Sequence, residues 1–373
     1  MTASGELGRA APSVDELELL RAALCPGNEA AGAWARWRST YDVFHAPHRS
    51  HEIFPAVSAN LDPAVLGADA HRLSGLRRNT WVNNQLALES LGAGLEVLAD
   101  AGIEPIVVKG ARLVACEYHK PGTRRMADVD VVVGPRCFDM ALKELTSSGW
   151  AVKGNWAHAA DLTGPSGTGL DLHRWILFPR FSRVPEDVWW ERTESGFIAG
   201  RPAKRLSLPD ELVLSVVHGL FTSSPSTVRW PLDVAAIVAS LDSTSAEAFW
   251  MKVRASAQEI GLGPIVGKGL SMCTEEFGLY VPAATLVDLK GQRLDPLVAI
   301  HWRLHKTGAK PPMRVRRFVD LERAAGRRPS AANYARARWE SLREHGPRRV
   351  LGYRIRNLSR TARRVAASRS GAR

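Results

Sequence analysis

Arg124-Arg125-Met126-Ala127-Asp128-Val129-Asp130-Val131-Val132-Val133 sets two aspartates at i and i+2 where a run of valines begins. An apolar, β-branched run reads as a buried strand, and strand side chains alternate with a period of two, so Asp128 and Asp130 share a face. Like charges that close repel and raise each other's pKa. A cation held between them relieves the repulsion, and an all-oxygen ligand set suits Mg2+ or Mn2+. The stretch therefore points to metal-dependent phosphoryl or nucleotidyl transfer.

The flanking sequence supports a mixed α/β unit. Residues 69–100 keep an apolar stripe through Leu86, Leu88, Leu91, Leu95 and Leu98, and Gly102 follows as a helix stop. Pro105-Ile106-Val107-Val108 reads as a short strand ending at Lys109-Gly110, with a short helix over 111–118. Such a strand-to-helix turn suits a triphosphate: Gly110 lets the backbone come close, the helix start offers free N–H groups, and Lys109 brings a point charge. Phe138, Ala141, Leu142 and Leu145 mark one face of the next helix. Trp150-Ala151-Val152 and Leu170-Asp171-Leu172-His173 read as further strands. The glycine-rich 164–169 between them reads as a hairpin turn rather than a phosphate loop, because no Lys-Ser/Thr follows and Pro165 lacks a donor. Asp171 interrupts an apolar strand and is the candidate third carboxylate. His173 shares its face, as a substrate contact, a proton carrier or a structural hydrogen-bonding group.

These residues resemble a known family. Gly102-Ile103-Glu104-Pro105-Ile106-Val107-Val108-Lys109-Gly110-Ala111, Tyr118, the Asp128-Val129-Asp130 stretch and Leu170-Asp171-Leu172-His173 are similar to the uncharacterised bacterial nucleotidyltransferase family of the DNA polymerase β-like superfamily. The resemblance implies an α+β fold, a small mixed sheet with flanking helices on one side. It places Asp128, Asp130 and Asp171 as catalytic, metal-holding carboxylates for Mg2+ or Mn2+, with a nucleoside triphosphate as donor. It matches Lys109 and Gly110 to the family's Lys-Gly turn and Arg124 to an arginine preceding the Asp-x-Asp; Arg125 is a weaker phosphate candidate. Arg174 stands between His173 and Trp175, where the family pattern has histidine and tryptophan adjacent.

From Pro209 onward the pattern becomes all-helical, over 211–220, 230–241, 246–258, 265–277 and 297–305. His218, Arg229, Trp230 and Asp233 lie there; an Arg-Trp-x-x-Asp segment resembles the family's second-domain helix, and Arg229 and Asp233 are candidate substrate contacts or intramolecular partners. The expected organisation is an N-terminal helical region (1–65), a nucleotidyltransferase domain (66–205), an all-α domain (206–312) and an arginine-rich helical tail (313–373). Residues 301–373 hold 21 Lys/Arg against four Asp/Glu, whereas residues 1–300 carry a net −5. In the tail, Leu351, Ile355, Leu358, Ala362 and Val365 recur at helical spacing among arginines. That basic amphipathic helix suits an acidic partner or an anionic membrane surface better than nucleic acid, since Tyr353 is its one aromatic. Cys25, Cys116, Cys137 and Cys273 form no metal-spaced pair or disulfide framework, which fits a cytoplasmic protein. No leader pattern and no apolar run of about 18 residues is visible. Mg2+-dependent transfer of a nucleoside monophosphate to a hydroxyl-bearing small molecule, peptide or protein is the leading expectation. Its rivals are an inactive accessory protein of the same fold and a nucleic-acid binder using the tail.

Overall fold

The computed structural model describes residues 3–222, 227–242, 244–309 and 312–336. It divides into two compact units, Met1–Lys310 and Pro311–Arg373. The first unit opens with α1 (Ala3–Leu7), α2 (Val14–Leu24), α3 (Gly27–Arg38), α4 (Phe54–Asn60) and α5 (Pro63–Leu66), followed by the long α6 (Ala70–Asp100). α2 starts at a capping box. Ser13 Oγ accepts from the Glu16 N–H at 3.3 Å, while Glu16 Oε2 accepts from the Ser13 N–H at 2.8 Å.

The mixed α/β part follows as β1 (Ile106–Val108), α7 (Lys109–Cys116), β2 (Val129–Val132), α8 (Gly134–Ser147), β3 (Ala151–Asn155), β4 (Ala159–Thr163), β5 (Gly169–His173), α9 (Glu186–Glu191), β6 (Thr193–Ile198) and β7 (Arg201–Leu206). The strands form one seven-stranded sheet in the order β3-β4-β5-β2-β1-β7-β6. The β2/β5 and β1/β7 pairs are parallel and the others antiparallel, so the fold class is α+β. The 164–169 turn joins β4 to β5, with Gly164 N–H donating to the Thr168 carbonyl at 2.9 Å. The strand read at Trp150-Ala151-Val152 is β3, which runs on to Asn155, while β4 and the β6–β7 hairpin exceed the strands read from the sequence.

Alternation divides the sheet's two faces between two cores. Val107, Val131, Leu170 and Leu172 pack with Leu91, Leu95 and Leu98 of α6 and Phe138, Ala141 and Leu145 of α8. Ile106, Val108, Val132 and Leu206 face the other way, into a core shared with the later helices. These are α10 (Leu208–Val217), α11 (Trp230–Ala239), α12 (Ala246–Ile260), α13 (Gly263–Phe277), α14 (Ala283–Gly291) and α15 (Pro296–Lys306), with a π-helical turn His218–Thr222 extending α10. The central strands are thus covered on both faces, beyond the one-sided sheet that the resemblance implies. That explains why β1 and β2 are apolar almost throughout.

In the second unit, α16 (Met313–Ala324) is followed by a segment in which Arg327 and Asn333 bond to Glu322. The basic helix expected over 351–365 lies outside the described residues. Among the described residues no helix is long and apolar enough to cross a membrane.

The loop from α7 to β2 is pressed against α6 at Gly122, which adopts φ +74°. A Cβ there would overlap the Arg77 carbonyl oxygen and crowd Trp81. Gly122→Ala is expected to cost about 2–4 kcal/mol from strain and clash together. Urea unfolding reads this as a lowered midpoint at unchanged slope; an unshifted midpoint contradicts the packing.

Candidate active site

The parallel pairing of β2 with β5 sets Asp130 opposite Asp171 and Val132 opposite His173. Because Leu170 and Leu172 fill the α6/α8 core, Asp171 and His173 turn to the other face, where Asp130 also lies. Asp128 sits just before β2. All four line a cavity of about 400 Å³ with Lys109, Gly110, Arg124, Arg229 and Asp233. Its far wall comes from Trp175, Phe178, Leu214, His218 and Trp230.

At the floor, Lys109 Nζ donates to Asp130 Oδ1 at 2.6 Å, and His173 Nε2 lies 2.9 Å from the same oxygen and 4.0 Å from Asp171 Oδ2. Burial alone would raise the Asp130 carboxyl, but the Lys109 ammonium and His173 together hold it well below the usual carboxylate range. Asp171 responds in the opposite sense. Desolvation, with the Asp130 and Asp128 charges against it, outweighs His173 and pushes it up to about 6. Asp128, exposed at the rim, is raised by desolvation on its cavity side and by Asp130. Desolvation lowers His158 to about 4 and His218 well below the ordinary histidine value, so both imidazoles are neutral at pH 7.

The turn that delivers Lys109 is unusual for a residue with a Cβ. Lys109 adopts φ 55°, in the left-handed region, directly after β1. Its N–H, an orphan donor at the start of α7, donates at 2.8 Å to Glu211 Oε1 of α10. Glu211 is fully buried and its Oε2 has no hydrogen-bond partner. Burial pushes its carboxyl up to about 7 despite Arg112 and the Lys109 N–H.

Arg124, read from the sequence as a phosphate ligand, and Asp233, read as a substrate contact or an intramolecular partner, pair with each other. Arg124 Nε and Nη2 donate to the two Asp233 oxygens at 2.6 and 3.0 Å, and both side chains are buried. Tyr118 Oη adds a third bond to Asp233 at 2.7 Å. Gly110 is required beside them, since a Cβ would meet the Arg124 guanidinium. Asn84 of α6 fixes the same segment, donating to the Arg124 carbonyl at 2.7 Å and accepting from the Met126 N–H at 3.2 Å. Arg229 lies 3.4 Å from Glu52 and donates to the Arg125 carbonyl at 3.0 Å. The Arg125 side chain is exposed and outside the cavity wall, because the extended chain turns it away from its buried neighbours.

Sequence reasoning missed His158, Glu211 and the 175–178 segment. Glu211 left one signal, a carboxylate heading the apolar run Leu212-Val213-Leu214; His158 left none. The three aspartates, Lys109, Gly110, Arg124, His173, Arg229 and Asp233 do converge on the cavity.

An acidic pair on adjacent strands, a lysine–glycine turn above it and a helical layer closing the cavity define the site of a nucleotidyltransferase. The family model of the uncharacterised nucleotidyltransferases matches residues 40–278, and the chain belongs to that family. Among solved structures, a lincomycin-bound lincosamide antibiotic adenylyltransferase, LnuA, is similar at 16% identity and a TM-score of 0.30, over 40% of this chain and 94% of that one. An antigenic nucleotidyltransferase-like protein from Paracoccidioides brasiliensis is similar at 15% identity and a TM-score of 0.36, over 57% and 96%. No curated protein matches the chain.

Glu211 sets a pH dependence of stability. Its folded-state pKa is raised above the unfolded value, so the folded chain holds a proton that the unfolded chain has released. The resulting stability is present below about pH 4.5 and is lost as pH rises through about 7. Glu211→Gln keeps the acceptor for Lys109 and removes the titration. Relative to the wild type, the variant should gain roughly 2–3 kcal/mol between pH 5 and pH 8.5; thermal melts that run parallel across that range contradict the assignment.

Proposed function

We infer that the protein transfers a nucleoside monophosphate from a nucleoside triphosphate to a hydroxyl-bearing acceptor, with Mg2+ or Mn2+ as the metal. The observation that carries the reading is the Asp130–Asp171 register, with Asp128 and the Lys109 ammonium on the same cavity. The donor set fits a divalent cation: Asp130, Asp171 and His173 each offer one ligand atom within 4.8 Å of the others. Asp128, Asp130 and Asp171 would hold the ions, which when bound polarise the phosphates and acidify the attacking hydroxyl.

The chain's own residues do the rest. Asp171, half-buried on the same face as Asp130, is placed to take the acceptor's proton. The acceptor oxygen bonds to the α-phosphorus as the bond to the departing pyrophosphate breaks, in line with the attack. Lys109 stands between two employments. Without donor it neutralises Asp130; with donor its ammonium turns to the phosphates, while Gly110 and the start of α7 offer backbone N–H groups. Arg124, its charge met by Asp233, braces that turn, and Arg229 brings positive charge to the cavity wall. ATP is the natural first donor to examine, and a small molecule, peptide or protein is the acceptor. A cytoplasmic setting suits free thiols and triphosphate chemistry, and the basic tail suits an acidic partner or an anionic membrane surface.

The test uses purified protein, Mg2+, α-labelled nucleoside triphosphates and heat-inactivated lysate as the acceptor source. The wild type should attach label to a lysate component, and Asp128→Asn and Asp130→Asn should each reduce this by roughly 100-fold or more. Unchanged labelling in either variant overturns the reading, and no labelling by the wild type with any of the four common triphosphates favours the inactive accessory protein.

A further inference from the structure

Asp171 and His173 form an Asp-x-His pair on β5 beside the Asp-x-Asp of β2, and the ring nitrogen turned toward the carboxylates is Nε2. It lies 2.9 Å from Asp130 Oδ1 and 4.0 Å from Asp171 Oδ2. Two donors at right angles on an ion with bonds of about 2.1 Å stand about 3 Å apart, and two opposed donors about 4.2 Å. The two His173 separations match that range. Among the described residues this is the one cluster of three such groups. The Lys109 ammonium on the same Asp130 oxygen shows that a cation is already favoured there.

We propose that His173 is a metal ligand through Nε2, completing an Asp130–Asp171–His173 set that selects a first-row transition ion, with Mn2+ the representative, over Mg2+. The inference rests on the nucleotidyltransferase reading of the same carboxylates and adds to it the identity of the ion. Its chemical basis is the imidazole. Mg2+ keeps oxygen ligands and gives up water reluctantly, whereas first-row ions accept a neutral nitrogen readily. An all-carboxylate site would discriminate weakly between Mg2+ and Mn2+. A neutral nitrogen among the ligands shifts the balance toward the transition ion.

The experiment titrates the full chain with Mn2+, read by electron paramagnetic resonance, alone and against Mg2+, and records the pulsed spectrum of the bound ion. The wild type should show nitrogen hyperfine modulation and prefer Mn2+. His173→Gln retains an oxygen donor; it should lose the modulation, and its Mn2+/Mg2+ affinity ratio should fall about tenfold or more. Bound Mn2+ without nitrogen modulation in the wild type, or modulation that survives in His173→Gln, overturns the inference and leaves the carboxylate reading standing. Wild-type protein that binds neither ion, or Asp130→Asn that binds Mn2+ as tightly as the wild type, removes the carboxylate reading and the inference with it.

Discussion

Everything at the floor of the cavity follows from one pairing, β2 beside β5 in parallel with Asp130 opposite Asp171. Bringing two carboxylates together away from water costs several kcal/mol unless each finds compensation. The site compensates them unequally. Asp130 receives the Lys109 ammonium and the His173 ring, and stays ionised; Asp171 keeps little of that benefit, and desolvation pushes its carboxyl up. Neighbouring carboxylates with pKa values pushed apart can divide their labour, one holding charge while the other exchanges a proton.

That asymmetry depends on where Lys109 is held. A residue with a Cβ in the left-handed region carries strain, here at the junction of β1 and α7. Glu211 fixes the junction from α10 through the Lys109 N–H, and the Arg124–Asp233 clip holds the neighbouring loop from α11. The helical layer is therefore more than a lid. It supplies the carboxylates that position the turn, and its apolar and neutral-histidine wall limits water around the charged floor. Low dielectric on that side strengthens each ion pair and makes any unpaired charge costly.

Much of this was legible locally. The long amphipathic α6, the valine strand β2 and the shared face of Asp171 and His173 all depend on residues a few positions apart. β6 and β7 escaped because their hairpin is polar, with Arg201, Lys204 and Arg205 on one strand, and turns through Ala199-Gly200, both at positive φ, without the usual asparagine signal. Arg124 and Asp233 were each visible, but their pairing spans 109 positions and no local pattern encodes it. Glu211 and Lys109 stand 102 positions apart and escaped for the same reason. The sequence located the floor of the site, and tertiary contact decided which charges remain available to a ligand.

The most direct measurement is a crystal structure of the protein with Mn2+ and a non-hydrolysable ATP analogue, with anomalous diffraction recorded at the manganese edge. The expected result is an anomalous peak between Asp130 and Asp171, with Lys109 Nζ moved from Asp130 onto a phosphate oxygen. A peak elsewhere, or a triphosphate bound in the cavity with Lys109 still on Asp130 and no ion beside the aspartates, would contradict it.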